Sequence, residues 1–220
     1  LGKFSRHIWS IEATDGVFVA TNFHKELISY ERQVPKDKIH ITGHPFTHSW
    51  IKNYDTSKKE NIIVFPHRKA PEKRLDVFLE IKKKMKDKGY KFIVTTDETK
   101  TKQEYYELLA KSKVSWSGGL QETCGISTFE SLWLDNIVMV PDRLSYSEMY
   151  FDSFKYEPNL DKNVDVQCQM IEYAIENYDE YIEVMKENSE EIKKIQGPTA
   201  VERMLNHILE VKWVLGLTEK

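Results

Sequence analysis

Lys113-Val114-Ser115-Trp116-Ser117, then Gly118-Gly119-Leu120-Gln121-Glu122-Thr123-Cys124-Gly125, then Ile126-Ser127-Thr128-Phe129-Glu130-Ser131-Leu132-Trp133-Leu134 is the stretch that decides the fold. A strand-length run passes through glycines into a helix-length run, expected over Gly125 to Leu134. Ile137-Val138-Met139-Val140 follows as the next strand, stopped by Pro141. The same unit recurs upstream. Asn61-Ile62-Ile63-Val64-Phe65 reads as a strand and Glu72 to Lys88 as a helix ended by Gly89. Lys91-Phe92-Ile93-Val94-Thr95 is another strand, and a helix runs from Thr101 to Ser112. Strands alternating with helices at this spacing predict an α/β fold with a doubly wound parallel sheet, right-handed crossovers and ligand sites at the carboxyl ends of the strands.

Before this core the pattern is helix Arg6 to Ala13, strand Val17 to Ala20, helix Asn22 to Arg32 and strand Lys38 to Thr42, stopped at Gly43-His44-Pro45. Phe46 to Glu60 has weak periodicity and is the best linker candidate, with a boundary near residue 58. The last sixty residues read as helices over Val164 to Asn177 and Tyr178 to Ile195, then a final one after Gly197-Pro198. On that final helix Val201, Met204, Leu205, Ile208, Val211 and Leu215 form an apolar stripe that needs a partner surface. The expected organisation is residues 1–58, 59–196 as the ligand-binding domain, and 197–220 as a C-terminal helix returning to the first segment.

With 220 residues and 40% apolar content, the chain can bury one substantial core or one core and part of a second. A net charge of -3 with 30% charged residues describes an ordered globular protein and names no partner. Residues 161–220 carry 13 acids and 7 bases, which leaves the preceding part slightly basic and suits a phosphate-bearing ligand. The densest basic run, Lys82-Lys83-Lys84-Met85-Lys86, shares its helix with Leu75, Phe78, Leu79 and Ile81 and reads as a solvated face rather than a nucleic-acid stripe. Cys124 and Cys168 form no Cys-x-x-Cys pair, so neither a disulfide framework nor a zinc knuckle is expected. No apolar run reaches a membrane span and no signal pattern opens the chain, so a cytoplasmic location is expected. Leu1 in place of an initiator Met points to a further segment upstream.

Transfer of a sugar from a nucleoside diphosphate must manage an oxocarbenium-like carbon and a diphosphate that gains negative charge. No Asp-x-Asp is present for a carboxylate-held metal, and no metal is expected. Cations and a helix N-terminus offer the other solution. Arg68 and Lys73 follow the strand Asn61 to Phe65, and the glycine-rich loop before Ile126 opens a helix. Glu122 and Glu130 bracket that helix start at a separation of at most roughly 12 Å. Glu122 can then accept from sugar hydroxyls and Glu130 from the vicinal ribose hydroxyls, with the amides of Gly125, Ile126 and Ser127 on the phosphates between them.

This pattern, Arg68 with Glu72-Lys73 and Glu122 with seven residues to Glu130, resembles the retaining glycosyltransferases with two Rossmann domains, the GT-B architecture, and glycosyltransferase family 4 in particular. The resemblance covers roughly residues 8 to 160. It implies a Rossmann-like donor domain preceded by the end of an acceptor domain, and a nucleotide sugar as partner. It also implies Arg68 and Lys73 on the diphosphate, Glu122 as the catalytic-side residue on the donor sugar, and Glu130 on the ribose. Val140 to Met149 and His67 to Lys73 further resemble glycosyltransferase-like proteins of large tailed phages, which makes modified DNA one conceivable acceptor. Two positions depart from the family: Cys124 stands where a Phe is usual, and Arg74 follows Glu72-Lys73 where a Gly is usual. Most of an acceptor domain has no counterpart in these residues.

Rival readings stand beside this one. They are a non-catalytic module that binds a nucleotide sugar or a partner on the same scaffold, and a sugar-phosphate isomerase or phosphorylase. His40, His44 and His48 recur every fourth residue, but Gly43 and Pro45 prevent the helix that would converge them on a metal. His67 either meets ligand or orients its loop. Cys124 reads as a small buried filler rather than a reactive thiolate, and Tyr105, Tyr106 and Trp116 read as core. No Gly-x-Gly-x-x-Gly or Gly-x4-Gly-Lys-Ser/Thr motif redirects the reading.

Overall fold

The computed structural model describes residues 14–47, 49, 51–159 and 164–214. The expected helix Arg6 to Ala13, His48 and Leu215 lie outside them. The described residues fall into two compact units, one from within Leu1–Thr47 and Ile192–Lys220 and one from within His48–Glu191.

In the first unit β1 (Val17–Val19) and β2 (Ile39–Ile41) pair in parallel, Val17 opposite Ile39 and Val19 opposite Ile41, and α1 (Asn22–Arg32) connects them. The Thr21 hydroxyl caps α1 by accepting from the His24 amide at 3.2 Å, and Gln33 closes it in the left-handed region. Val19, Val34 and Ile39 form the buried core of this unit.

The second unit is a parallel sheet of β3 (Glu60–Phe65), β4 (Lys91–Val94), β5 (Ser112–Trp116), β6 (Ile137–Pro141) and β7 (Lys155–Tyr156), in the order β4-β3-β5-β6-β7. Helices α2 (Leu75–Lys84), α3 (Thr95–Glu98), α4 (Lys102–Lys111), α5 (Ile126–Trp133), α6 (Tyr146–Met149) and α7 (Val164–Glu176) come between and after the strands, followed by α8 (Tyr178–Ile195), whose residues from Ile192 on belong to the first unit. β3 to β6 read as near-continuous apolar runs because both faces of a parallel sheet are covered. Phe65, Phe78 and Trp116 are fully buried, with ring centroids 5.4 to 6.2 Å apart. Each such side chain contributes about 1.5–3 kcal/mol by leaving water.

The chain order reverses between β3 and β5, because β4 lies on one side of β3 and every later strand on the other. In open α/β sheets this reversal parts the loops at the carboxyl ends of the two strands and leaves a crevice. Those loops are residues 66–74 and 117–125, which carry Arg68, Lys73 and Glu122.

The expected helix Glu72 to Lys88 is three pieces. Pro71–Lys73 is a 3-10 turn, α2 begins only at Leu75, and Lys86–Lys88 is a second 3-10 turn before Gly89. Arg74 causes the first break: it adopts φ 58, ψ 48 while its guanidinium holds Asp76 from two nitrogens. Lys73 therefore sits before the helix rather than in its first turn. Part of the stretch read as a linker is tied down, with Ile51 buried, Thr56 Oγ1 donating to Asp135 at 2.5 Å, and Lys59 Nζ donating to the Ser112 and Leu134 carbonyls.

The final helix, α9 (Thr199–Val214), belongs to the first unit, where Arg203 donates from Nε to the Thr42 carbonyl at 2.8 Å. Gln196, just before it, accepts from the His44 amide at 2.7 Å and donates to the Ala20 carbonyl at 3.0 Å. Of the apolar stripe, Val201, Leu205 and Ile208 are exposed, whereas Ala200 is buried and His207 packs against Phe18 and His40. No helix among the described residues is long and apolar enough to cross a membrane.

Candidate functional site

The two loops at the strand reversal are tied by backbone and side chain. The Leu120 amide donates to the Glu72 carbonyl at 2.7 Å, and Lys73 Nζ donates to the Gln121 carbonyl at 3.1 Å and to Glu122 Oε2 at 2.9 Å. The Lys73 and Glu122 side chains are 12% and 16% exposed, so this ion pair is largely screened from water. Glu122 Oε1 also accepts from the amides of Thr123 at 3.1 Å and Cys124 at 3.4 Å. Burial works against the Glu122 carboxylate. The hydrogen bond and charge of Lys73, with the Gly125 and Thr123 amides, outweigh it and hold the group below its ordinary range.

Gly125 caps α5 at φ 81, ψ 56, turning the chain so that the helix begins at Ile126 rather than at the glycine. The Thr128 and Phe129 amides both donate to the Gly125 carbonyl, at 3.0 and 3.1 Å. The first amides of α5 precede them, at the positive end of an eight-residue helix.

A cleft of about 550 Å³ opens beside this helix start, between the loops after β3 and β4. Arg68, Ile126, Ser127 and Glu130 all line it, along with His67, Lys100, Lys102 and Tyr105. Arg68 is 75% exposed and pairs with Glu72 at 2.5 Å, so its guanidinium is held at the surface by one exposed contact. The structure thus brings four of the seven expected site residues into one cleft. It joins Lys73 to Glu122 in an adjoining ion pair and places Gly125 at the hinge between the two.

Glu130 has surroundings that the sequence reading missed. It is 4% exposed, and its carboxylate accepts from Tyr106 Oη at 2.6 Å and Lys102 Nζ at 2.7 Å on Oε1, and from Tyr105 Oη at 3.0 Å on Oε2. Lys102, Tyr105 and Tyr106 stand at i, i+3 and i+4 on α4, one helix face with three polar tips, which was the available signal. The two tyrosines are buried, as expected for core residues, but their hydroxyls serve the carboxylate.

His67 is 4% exposed, with Nδ1 2.9 Å from Ser127 Oγ, which links the β3 loop to α5. Burial, then the neighbouring Lys73 charge, pushes its pKa down to about 3, so the ring is neutral at physiological pH. Burial, with Glu122 nearby, pushes the Cys124 thiol up to about 12, which is the behaviour of a filler and not of a nucleophile. His40 packs against His207 with ring centroids 4.2 Å apart and the planes tilted by 35°, and no group of three metal-ligating side chains is found among the described residues.

No protein-family model and no curated protein sequence matches the chain. Solved structures do. Staphylococcus aureus TarM, in a mutant form with fondaparinux, alpha-GlcNAc-glycerol and UDP, aligns over 94% of this chain and 46% of its own at 20% identity and TM-score 0.69. The pneumococcal O-GlcNAc transferase GtfA, with UDP and GlcNAc, aligns over 96% and 48% at 14% identity and TM-score 0.68. Sucrose-phosphate synthase from Thermosynechococcus elongatus aligns over 95% and 61% at 7% identity and TM-score 0.71. These neighbours are GT-B glycosyltransferases, and the chain shares their Rossmann-like fold; it spans about half the length of the first two.

Proposed function

We propose that this chain carries the donor-binding half of a retaining, metal-independent glycosyltransferase that draws its sugar from a nucleoside diphosphate. One observation carries the reading. A single cleft, between the loops after β3 and β4, gathers Arg68, the start of α5 and the Glu130 carboxylate, and the Lys73–Glu122 pair lies on the neighbouring loops at the strand reversal. The bound UDP of TarM and GtfA supports a uridine nucleotide as the first donor to test.

In this reading the Arg68 guanidinium, the Lys73 ammonium and the α5 amides meet the diphosphate as its bond to the sugar carbon breaks and negative charge grows on it. These donors do for the leaving group what a carboxylate-held metal does elsewhere. Glu122 accepts from sugar hydroxyls and opposes the positive charge on the ring. Glu130 accepts the ribose hydroxyls. The acceptor oxygen then bonds the sugar carbon on the face the phosphate leaves, and its proton passes to a phosphate oxygen.

The expected result is that UDP, or a UDP-sugar, raises the melting temperature of the chain. At 100 times the dissociation constant, ligand adds about 2.7 kcal/mol, a readily measured displacement. If neither UDP, its sugars nor any other nucleoside diphosphate moves the transition, the reading fails.

A further inference from the structure

Resting on the donor reading above, we infer that Tyr105 and Tyr106 are positioning residues that hold Glu130 for a ribose diol, and that Lys102 occupies the diol's place until the nucleotide arrives. A carboxylate offers about four lone-pair sites. Three are occupied here: Tyr106 and Lys102 share Oε1, and Tyr105 takes one on Oε2. Two vicinal hydroxyls need two sites, so one present partner must leave. The tyrosines are 9% and 1% exposed and fixed by the core around α4. Lys102 is 65% exposed, and its ammonium lies 4.7 and 4.8 Å from the two ring centroids, over the carboxylate it caps.

The three groups differ in what removing them does. A buried phenol is rigid and makes a charge-assisted hydrogen bond that orients the carboxylate plane. The lysine is a flexible cation whose bond ligand can replace, and once displaced it stays within the cleft. Two phenols and two ribose hydroxyls then fill the four acceptor sites with no buried lone pair unmet. Recognition of the ribose thus depends on α4 as well as α5.

The test measures dissociation constants of UDP and 2′,3′-dideoxy-UDP for the full chain and for Tyr105→Phe, Tyr106→Phe and Lys102→Met, with the melting temperature of each unliganded protein. The wild type should prefer UDP. Each Tyr→Phe variant should lose about tenfold of that preference, the worth of one hydrogen bond to a charged group, while its affinity for the dideoxy compound stays near wild type. Lys102→Met should bind UDP about threefold more tightly or better, since a competitor for Glu130 is gone. Tyrosine variants that keep the full preference overturn the inference, as does a Lys102→Met protein that loses affinity for both compounds, which would put the lysine on phosphate. Failure of the wild type to bind UDP or any other nucleoside diphosphate removes the parent reading instead, so the two failures are distinguishable.

Discussion

Replacing Lys73 with alanine is expected to cost about 3 kcal/mol of stability at neutral pH, the low end of what leaving one member of a buried ion pair behind costs, because this pair is only partly buried. Glu122 would keep its burial and the Thr123 and Cys124 amides but lose the cation 2.9 Å away. The cost depends on pH in a defined direction. In the wild type the folded-state pKa of Glu122 lies below its ordinary 4.5, so its contribution is complete above that value and is lost as the pH falls through the lowered one. In the variant burial dominates and the carboxylate protonates more readily. The gap between the proteins is therefore widest near pH 7 and closes below about pH 4.5. Urea unfolding at pH 7 and pH 4 measures both ends, and a gap under 1 kcal/mol at pH 7, or one that widens in acid, refutes the account. Arg68→Ala is the contrast: its pair with Glu72 is exposed and adds little stability, yet on the proposed function its loss should weaken nucleotide binding.

That contrast indicates what a sequence exposes and what it conceals. Helices Asn22–Arg32 and Tyr178–Ile195 were legible to the residue, because helical periodicity runs along their whole length and Thr21 caps the first. The strands up to β6 were legible within a residue or two, and in the larger sheet that follows from burial on both faces, which demands unbroken apolar runs; the edge strand β7 was missed, because two residues, Lys155 and Tyr156, carry no such run. The Glu72 to Lys88 helix was over-read because Pro71 signals a helix start and nothing local announces that Arg74 takes a positive φ; its Asp76 partner and its packing decide that. The contact of Lys73 with Glu122, 49 residues apart, was not read from the sequence, which put Lys73 in a helix and gave the two separate ligand roles; it arises because Pro71–Lys73 is a 3-10 turn that leaves Lys73 beside the loop after β5. The tyrosines under Glu130 were concealed because a tyrosine's ring and hydroxyl answer to different rules. Burial of the ring is visible in the pattern, whereas the destination of the hydroxyl depends on how α4 sits against α5.

Gly125→Ala is expected to be about as damaging, at roughly 3 kcal/mol, and for two separable reasons. An L-residue at φ 81 pays about 1–2 kcal/mol in backbone strain alone. The added Cβ would also lie 2.7 Å from Thr128 Oγ1 and 3.0 Å from the Tyr146 ring. Neither neighbour has room to give: Thr128 donates to the Gly125 carbonyl at 2.7 Å and accepts from Tyr150 at 2.9 Å, and Tyr146 is fully buried beside Ser117. Relief must come from the loop itself, which moves the first amides of α5 and Ser127. On the proposed function nucleotide affinity then falls by more than the stability loss explains. Gly119→Ala separates strain from general intolerance of the loop, because its Cβ would meet Tyr146 and Ser117 only at 3.6 Å and beyond, ordinary contact distances. It should cost no more than about 0.5 kcal/mol. Thermal unfolding of the two variants with and without UDP decides the matter. Equal destabilisation would mean that the loop tolerates no side chain anywhere, whereas loss confined to Gly125 would tie the start of α5 to that one backbone conformation.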